Sequence, residues 1–388
     1  MKLAPRLLAA AIVAALASSA HAEIAVDVIG STEVSLEGLM QADYNDFDND
    51  RLDLNAPSTN NDGDDTEFEQ RRAEVILKGK GVKFDWTVGY DGKANKWLDA
   101  NMKWKLGTNY LQGGQFKQPN SLEELASTRH NDFVSKAMVT NLFGIARRVG
   151  VAYGDDRPNW GFMLSAFDRE LTRNLAEGQG FGGRAYWLPW NDPGSFVHLG
   201  VSANWQEPED VNHGRNFRYR VRPDADLATG RLVDSGTFTD IDNQLTLGFE
   251  GMWVHGPFKL AGEYMQNDVS RKSHDDYTGD SWYLSGLWNI TGETWGYKAG
   301  VHTTPFPNEP NLGMWQVGVR YDQTDLDDGL VKGGEEGNWT VGLNWYWRSN
   351  FKFMVNYVAV DSEKFSASAG RNVSDNPNIL EFRAQFYW

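Results

Sequence analysis

Two interleaved rows of residues run through the last ten positions of the chain. Leu380, Phe382, Ala384, Phe386 and Trp388 form an apolar row, while Glu381, Arg383, Gln385 and Tyr387 form a polar one. A period of two predicts a β-strand with one greasy face and one wet face. The same alternation recurs upstream in segments separated by Gly, Asn, Asp and Pro. Phe84, Trp86, Val88 and Tyr90 oppose Asp85, Thr87, Gly89 and Asp91; Val197, Leu199, Val201, Ala203 and Trp205 oppose His198, Gly200, Ser202 and Asn204. Further rows run through 98–106, 245–253, 258–264, 282–290, 295–301, 315–321, 339–347 and 351–357. The pattern gives about sixteen or seventeen strands, and it is weakest over 36–47 and 147–190.

Alternation alone suits both a soluble all-β domain and a barrel whose apolar face meets lipid and whose polar face meets water. Two further features favour the barrel. Long polar connections fall at 48–65, 117–146, 207–242, 267–280, 322–337 and 362–376, alternating with tight turns such as His255-Gly256-Pro257, Thr291-Gly292-Glu293 and Arg348-Ser349-Asn350. Trp282, Trp295, Trp315, Trp339, Trp345, Trp347 and Trp388 stand at or near strand ends, where aromatic girdles would sit. The expected fold is therefore all-β, a transmembrane antiparallel up-and-down β-barrel. A soluble secreted all-β protein that binds carbohydrate through its tryptophans is the alternative.

The N-terminus changes the compartment. Lys2 and Arg6, the apolar run 7–16 and Ala20-His21-Ala22 have the form of a secretory signal peptide spanning 1–22, which leaves 23–388 as a single barrel domain. The apolar run is too short to cross a hydrocarbon layer of roughly 30 Å as a helix. With no cysteine, an exported chain must rely on strand pairing and burial. The net charge of -16 argues against nucleic acid as a partner, though not against an anion path, since selectivity depends on a few lumen residues.

Little in the chain points to catalysis, cofactor or metal. No Gly-x-Ser-x-Gly elbow and no His-x-x-x-His pair occurs, and the seven histidines are scattered. The acidic runs Asp46, Asp48, Asp50, Asp53 and Asp62, Asp64, Asp65, Glu67 and Asp322, Asp325, Asp327, Asp328 lack EF-hand spacing and read as solvated loop surface.

Basic residues are more informative. Arg72 falls on the polar row with Glu74, whereas parity would put Arg71 in lipid at a cost of roughly 2–4 kcal/mol, so Arg71 is expected at a rim or in a bulge. Arg218, Arg220 and Arg222 alternate strictly, which stacks three guanidiniums on one face about 7 Å apart. Either a fixed row of Asp and Glu or a mobile anion must offset their repulsion.

From Gly114-Gln115-Phe116-Lys117-Gln118-Pro119 and Ser121-Leu122-Glu123 the chain resembles the phosphate-selective porin O/P family. The likeness continues through 68–73, 193–200, Arg218 to Pro223, 340–346 and the closing strand. The resemblance implies a sixteen-stranded homotrimeric barrel in the bacterial outer membrane, with its third long loop folded inward. It implies passive diffusion of phosphate, polyphosphate or similar small anions past outer-membrane lipid, with no chemistry and no cofactor. Carried onto this sequence, it marks Arg71, Arg72, Arg218, Arg220 and Arg222 as lumen residues that meet the anion, with Lys117 in the loop-entry motif facing the pore; Arg129 and Lys136, further along the same loop, are pore-lining candidates that would compensate for missing cations. It also marks departures: Leu39, Thr87 and Glu124 stand where anion-specific relatives have cations. These leave a general or sugar-conducting porin of the same fold as a second expectation.

Overall fold

The computed structural model describes residues 24–29, 32–55, 65–172, 178–209 and 216–388; the expected signal peptide, 1–22, and Asp62 and Asp64 lie outside the described residues. Among the described residues, sixteen antiparallel strands close into a barrel. In chain order these are β1 Thr32–Asp48, β2 Thr66–Lys80, β3 Phe84–Asp91, β4 Lys96–Leu106, β5 Asn109–Lys117, β6 Arg147–Asp156, β7 Trp160–Phe167 and β8 Gly180–Asp192. They continue as β9 Ser195–Gln206, β10 Ile241–His255, β11 Phe258–Arg271, β12 Tyr277–Asn289, β13 Met314–Asp328, β14 Val331–Trp347, β15 Phe351–Ser366 and β16 Asn378–Tyr387. Each pairs with the strand before and after it in sequence. A short strand, Ile24–Ile29, folds back on β1, and Arg371–Asp375 extends the edge of β15 above β16.

The final strand closes the barrel. β16 pairs with β1 from Leu39↔Tyr387 to Asp48↔Asn378, and Gly38 and Trp388 exchange backbone hydrogen bonds of 3.1 and 3.2 Å. The Trp388 ring covers Gly38 closely enough that a Cβ there would lie 2.1 Å from it and would displace the ring. Closure removes the unpaired edge that a membrane cannot solvate.

Parity holds along the strands. On β14, Asn338, Thr340, Asn344 and Tyr346 are buried inward while Trp339, Val341 and Leu343 face out. On β16, Glu381, Arg383, Gln385 and Tyr387 are buried and Phe382 is exposed. The outward aromatics form two tiers. Trp315 stacks on Trp345 at 5.6 Å and Trp345 on Phe353 at 5.5 Å in one, while Tyr321 packs on Trp339 at 4.8 Å in the other. From Trp339 to Trp345 is six residues, about 20 Å of strand, close to the height of a lipid-facing band.

Five sequence expectations need correction. The segments 267–280, 322–337 and 362–376 are mostly strand: β11 runs to Arg271, β13 and β14 join at Gly329-Leu330, and β15 reaches Ser366. Above the bilayer most residues on both rows of these strands are polar, Val269, Tyr277 and Leu326 being exceptions, so their period of two has little hydrophobic contrast. The row 295–301 is not a barrel strand. It forms a small hairpin, Gly296–Lys298 with Val301–Thr303, inside the long connection 290–313 between β12 and β13. Ala299 and Gly300, at φ 47° and 82°, supply the two-residue turn. Trp295 is 1% exposed and belongs to no girdle.

Placing a charge on the outward face should expose the bilayer contact. Val341→Arg is expected to cost roughly 2–4 kcal/mol in liposomes by urea titration, since Val341 lies between the two aromatic tiers. A cost below about 0.5 kcal/mol would mean that this row does not meet hydrocarbon.

Candidate functional site

The inward rows are too polar to be buried alone, and three inserted segments satisfy them. Segment 118–146 carries two short helices, α1 Leu122–Leu125 and α2 Met138–Phe143. Its start is fixed by Ser121, whose Oγ accepts the Glu124 N–H at 3.1 Å. Strands β11 to β16 hold its outer flank. The Leu122 and Glu123 N–H groups donate to Glu263 at 2.8 and 2.9 Å, and the Met138 N–H donates to Asp322 at 3.1 Å. Wall carboxylates thus take the orphan donors at both helix starts. On the same flank Lys259 pairs with Asp132 at 2.5 Å, Asn344 donates to the Asp132 carbonyl at 2.7 Å, and Lys352 and Arg383 donate to the Asn131 and Val134 carbonyls.

A second segment, 216–240, packs above the first. Tyr219, Val221, Val233 and Phe238 join Met265, Val269 and Tyr277 of the wall in one apolar cluster, while Ala225, Leu227, Ala228 and Leu232 join Phe47, Leu54 and Ile379 in another. The third insert is the hairpin in 290–313. Tyr297 Oη lies 2.7 Å from His198 Nδ1, His198 Nε2 lies 2.8 Å from Glu250, and Arg184 binds both Glu250 at 2.5 Å and the Gly300 carbonyl at 2.7 Å. The hairpin meets the first segment where the Thr304 N–H donates to His130 Nδ1 at 3.3 Å.

The inserts crowd the β9–β16 side, which leaves a cavity of about 620 Å³ along the inner faces of β1 to β8. Its wall carries charges of both signs. Arg147 binds Asp99 at 2.9 and 3.1 Å, Lys103 lies 3.4 Å from Asp156, and Lys78 contacts Glu37 at 2.6 Å. Such half-exposed pairs add little stability, on the order of 0–1 kcal/mol each. Their consequence is a lumen lined by fixed, mostly paired charges.

The seven residues expected in the lumen are not equivalent. Arg71 is the extra residue of a β-bulge, because β1 pairs Gln41↔Arg72 and then Ala42↔Gln70. The bulge turns it inward, where its Nε binds Asp226 at 3.1 Å. Arg72 bonds Glu74 at 3.2 Å. Lys117 is spent on the carbonyls of Glu124 and Ala126, at 2.5 and 2.8 Å, at the end of α1. Arg129 pairs with Glu37.

Arg218, Arg220 and Arg222 do share one face of segment 216–240, with Tyr219 and Val221 buried on the other. Arg218 is compensated by Asp234 at 2.7 Å. Arg220 is exposed and, among the described residues, Arg222 donates only to the Ala228 carbonyl, at 2.6 Å. Arg231, which lies outside the alternating run, adds a third guanidinium that forms no ion pair among the described residues and is bonded to the carbonyls of Ala228, Thr229 and Gly230. Burial, and then Arg222 and Arg220, push Arg231 down to about 10.

Of the three departures, Leu39 is buried at the seam and Thr87 lines the cavity. Glu124 is held by Lys136; burial alone would raise its carboxyl, yet Lys136 and then Lys117 hold it down at about 2. The deepest cations sit against the inserts. Arg383 is bidentate to Asp43, and Arg320 lies between Asp322 at 2.5 Å and Asp224 at 3.2 Å. Removing one partner of such a buried pair costs about 3–5 kcal/mol.

Comparison with known proteins agrees with this geometry. The family model of phosphate-selective porin O and P matches residues 34–388. Porin O of Pseudomonas aeruginosa is 24% identical over 410 residues, 91% of each chain. An uncharacterized protein of Caulobacter vibrioides is 27% identical over 300 residues, 73% of this chain, which spans 60% of that protein's length. Among solved structures, an anion-selective porin from Comamonas acidovorans superposes with a TM-score of 0.57 at 12% identity, covering 92% of this chain and all of that one. The trimer form of OmpT from Vibrio cholerae gives 0.55 at 10% identity, over 92% of this chain and all of that one.

Two expectations follow from how the inserts are held. Glu263→Gln removes one of the two oxygens that hold the start of α1 and should lower stability by about 1 kcal/mol in urea titrations while increasing current noise in planar bilayers. His130 and His302 should make the hairpin contact acid-sensitive. Burial, then Arg129 for His130 and Lys259 for His302, pushes both imidazoles down to about 3 from the usual value near 6.5. The unfolded state therefore binds more protons below about 6.5, and stability falls as pH drops from there toward 3. His302→Gln should flatten that acid limb in melting curves recorded in liposomes.

Proposed function

Because this chain belongs to the phosphate-selective porin O and P family and its barrel is that of a bacterial outer-membrane porin, we propose that its lumen passes small anions, phosphate among them, by passive diffusion. The observation that carries the reading is the cluster of Arg220, Arg222 and Arg231, none of which forms an ion pair among the described residues. An uncompensated positive cluster concentrates anions locally even in a chain of net charge -16. Arg71 and Arg72 follow on the barrel wall, where Asp226 and Glu74 offset their charges. Arginine forks match phosphate oxygens, and several weak sites in series let an anion exchange part of its water without being trapped.

The departures set the strength of the effect. Leu39 and Thr87 supply no charge, and the Glu124–Lys136 pair is neutral as a unit, so phosphate affinity should be weak. The paired charges along the cavity favour a second, less selective reading, a general porin with only mild anion preference. In this proposal three copies assemble as in the OmpT trimer form, with the apolar rows against lipid and neighbouring copies.

Reversal potentials in a KCl gradient across planar bilayers test the reading. The triple substitution of Arg220, Arg222 and Arg231 to Ala should lower the chloride-to-potassium permeability ratio severalfold, and phosphate should depress chloride current in the native protein. An unaltered ratio would remove the arginine cluster from the path. Full chloride current in the presence of phosphate would leave the general porin.

A further inference from the structure

Glu37 lies on the inward row of β1, which reads Ser35, Glu37, Leu39, Gln41, Asp43 and Asn45 and holds no cation. It is 5% exposed and lines the 620 Å³ cavity. Its two carboxylate oxygens serve different elements. Oε1 receives Lys78 of β2 at 2.6 Å, and Oε2 receives the Arg129 guanidinium of segment 118–146. Both cations also line the cavity, so one buried acid is shared between two positive charges, one from the barrel wall and one from the inserted segment.

We propose that Glu37 is a specificity-determining residue, a built-in counter-ion whose occupation of Lys78 and Arg129 limits how strongly the lumen favours anions. The inference rests on the anion reading above and deepens it. A passing anion competes for these cations with a carboxylate that cannot diffuse away, so it meets a triad of net charge +1 instead of a pair of charge +2. The row's other member at this level, Leu39, contributes no charge that could restore the balance. The same triad also ties segment 118–146 to the β1–β2 wall, opposite the Glu263 and Asp322 anchors. A tether and a counter-ion make different predictions for current, which separates them.

The test compares the native protein and Glu37→Gln in planar bilayers at 0.1 M and 1 M KCl, after heat-dependent gel mobility shows that both barrels have folded. The chloride-to-potassium permeability ratio should rise roughly threefold in the variant at 0.1 M, the worth of about half a kT/e of added potential, which favours the anion and disfavours the cation alike. The rise should largely vanish at 1 M, where the Debye length falls from about 10 Å to 3 Å. An unchanged or lowered ratio overturns the inference, as does a larger conductance with an unchanged ratio, which would make Glu37 only a tether. Should Glu37→Gln fail to fold, Arg129→Gln reads the triad from its other side. It leaves Glu37 and Lys78 as a neutral pair and should lower the ratio; no fall overturns the inference. The sign of the native reversal potential scores the anion reading separately, because a cation-preferring native channel would end that reading while the shift between native and variant still scores Glu37.

Discussion

Hydrocarbon offers no hydrogen bonds, so every backbone N–H and C=O at membrane depth must find its partner within the chain. That constraint explains the seam between β16 and β1 better than any side-chain contact does. The seam in turn fixes parity around the whole barrel, since a one-residue slip would turn Glu381 and Arg383 toward lipid and Phe382 inward. Even the apparent exception obeys it: the bulge at Arg71 spends one extra residue to keep a guanidinium out of the bilayer.

A polar interior creates a second problem, because buried cations and carboxylates are costly unless each meets its opposite. The molecule solves this by charge pairing between elements distant in sequence. Arg383 with Asp43, Arg320 with Asp224 and Asp322, and Lys259 with Asp132 bind wall to insert or strand to strand. The inserts are thus positioned by electrostatics, with apolar clusters such as Tyr219, Phe238 and Tyr277 filling what remains. Charges on the cavity side are paired too, but they retain partial exposure, and there the balance between cation and carboxylate becomes available for function.

Sequence periodicity was most legible where the environment is most uniform. In the bilayer one face is always apolar, so the closing strand and the rows through 339–347 were readable residue by residue. Above the lipid both faces are wet, and β13, β14 and β15 look like loops until their ladders are seen. Trp295 misled for a related reason: an aromatic beside alternating residues resembles a girdle, yet this one is shielded by the hairpin inside the barrel. The alternating arginines were visible because they share one segment. Arg231 was missed because it breaks the period, and no spacing rule links Glu37, Lys78 and Arg129, which come from three separate elements.

The crowding of one side of the barrel has an evolutionary implication. Most residues that line the cavity lie between Glu74 and Met163, a contiguous stretch running from β2 into β7. The remaining strands act mainly as a frame that grips the inserts. Exchange of that single block, which includes segment 118–146, would replace most of the lining of the opening while Glu37, the arginine cluster of segment 216–240 and the anchoring carboxylates Glu263 and Asp322 stayed in place.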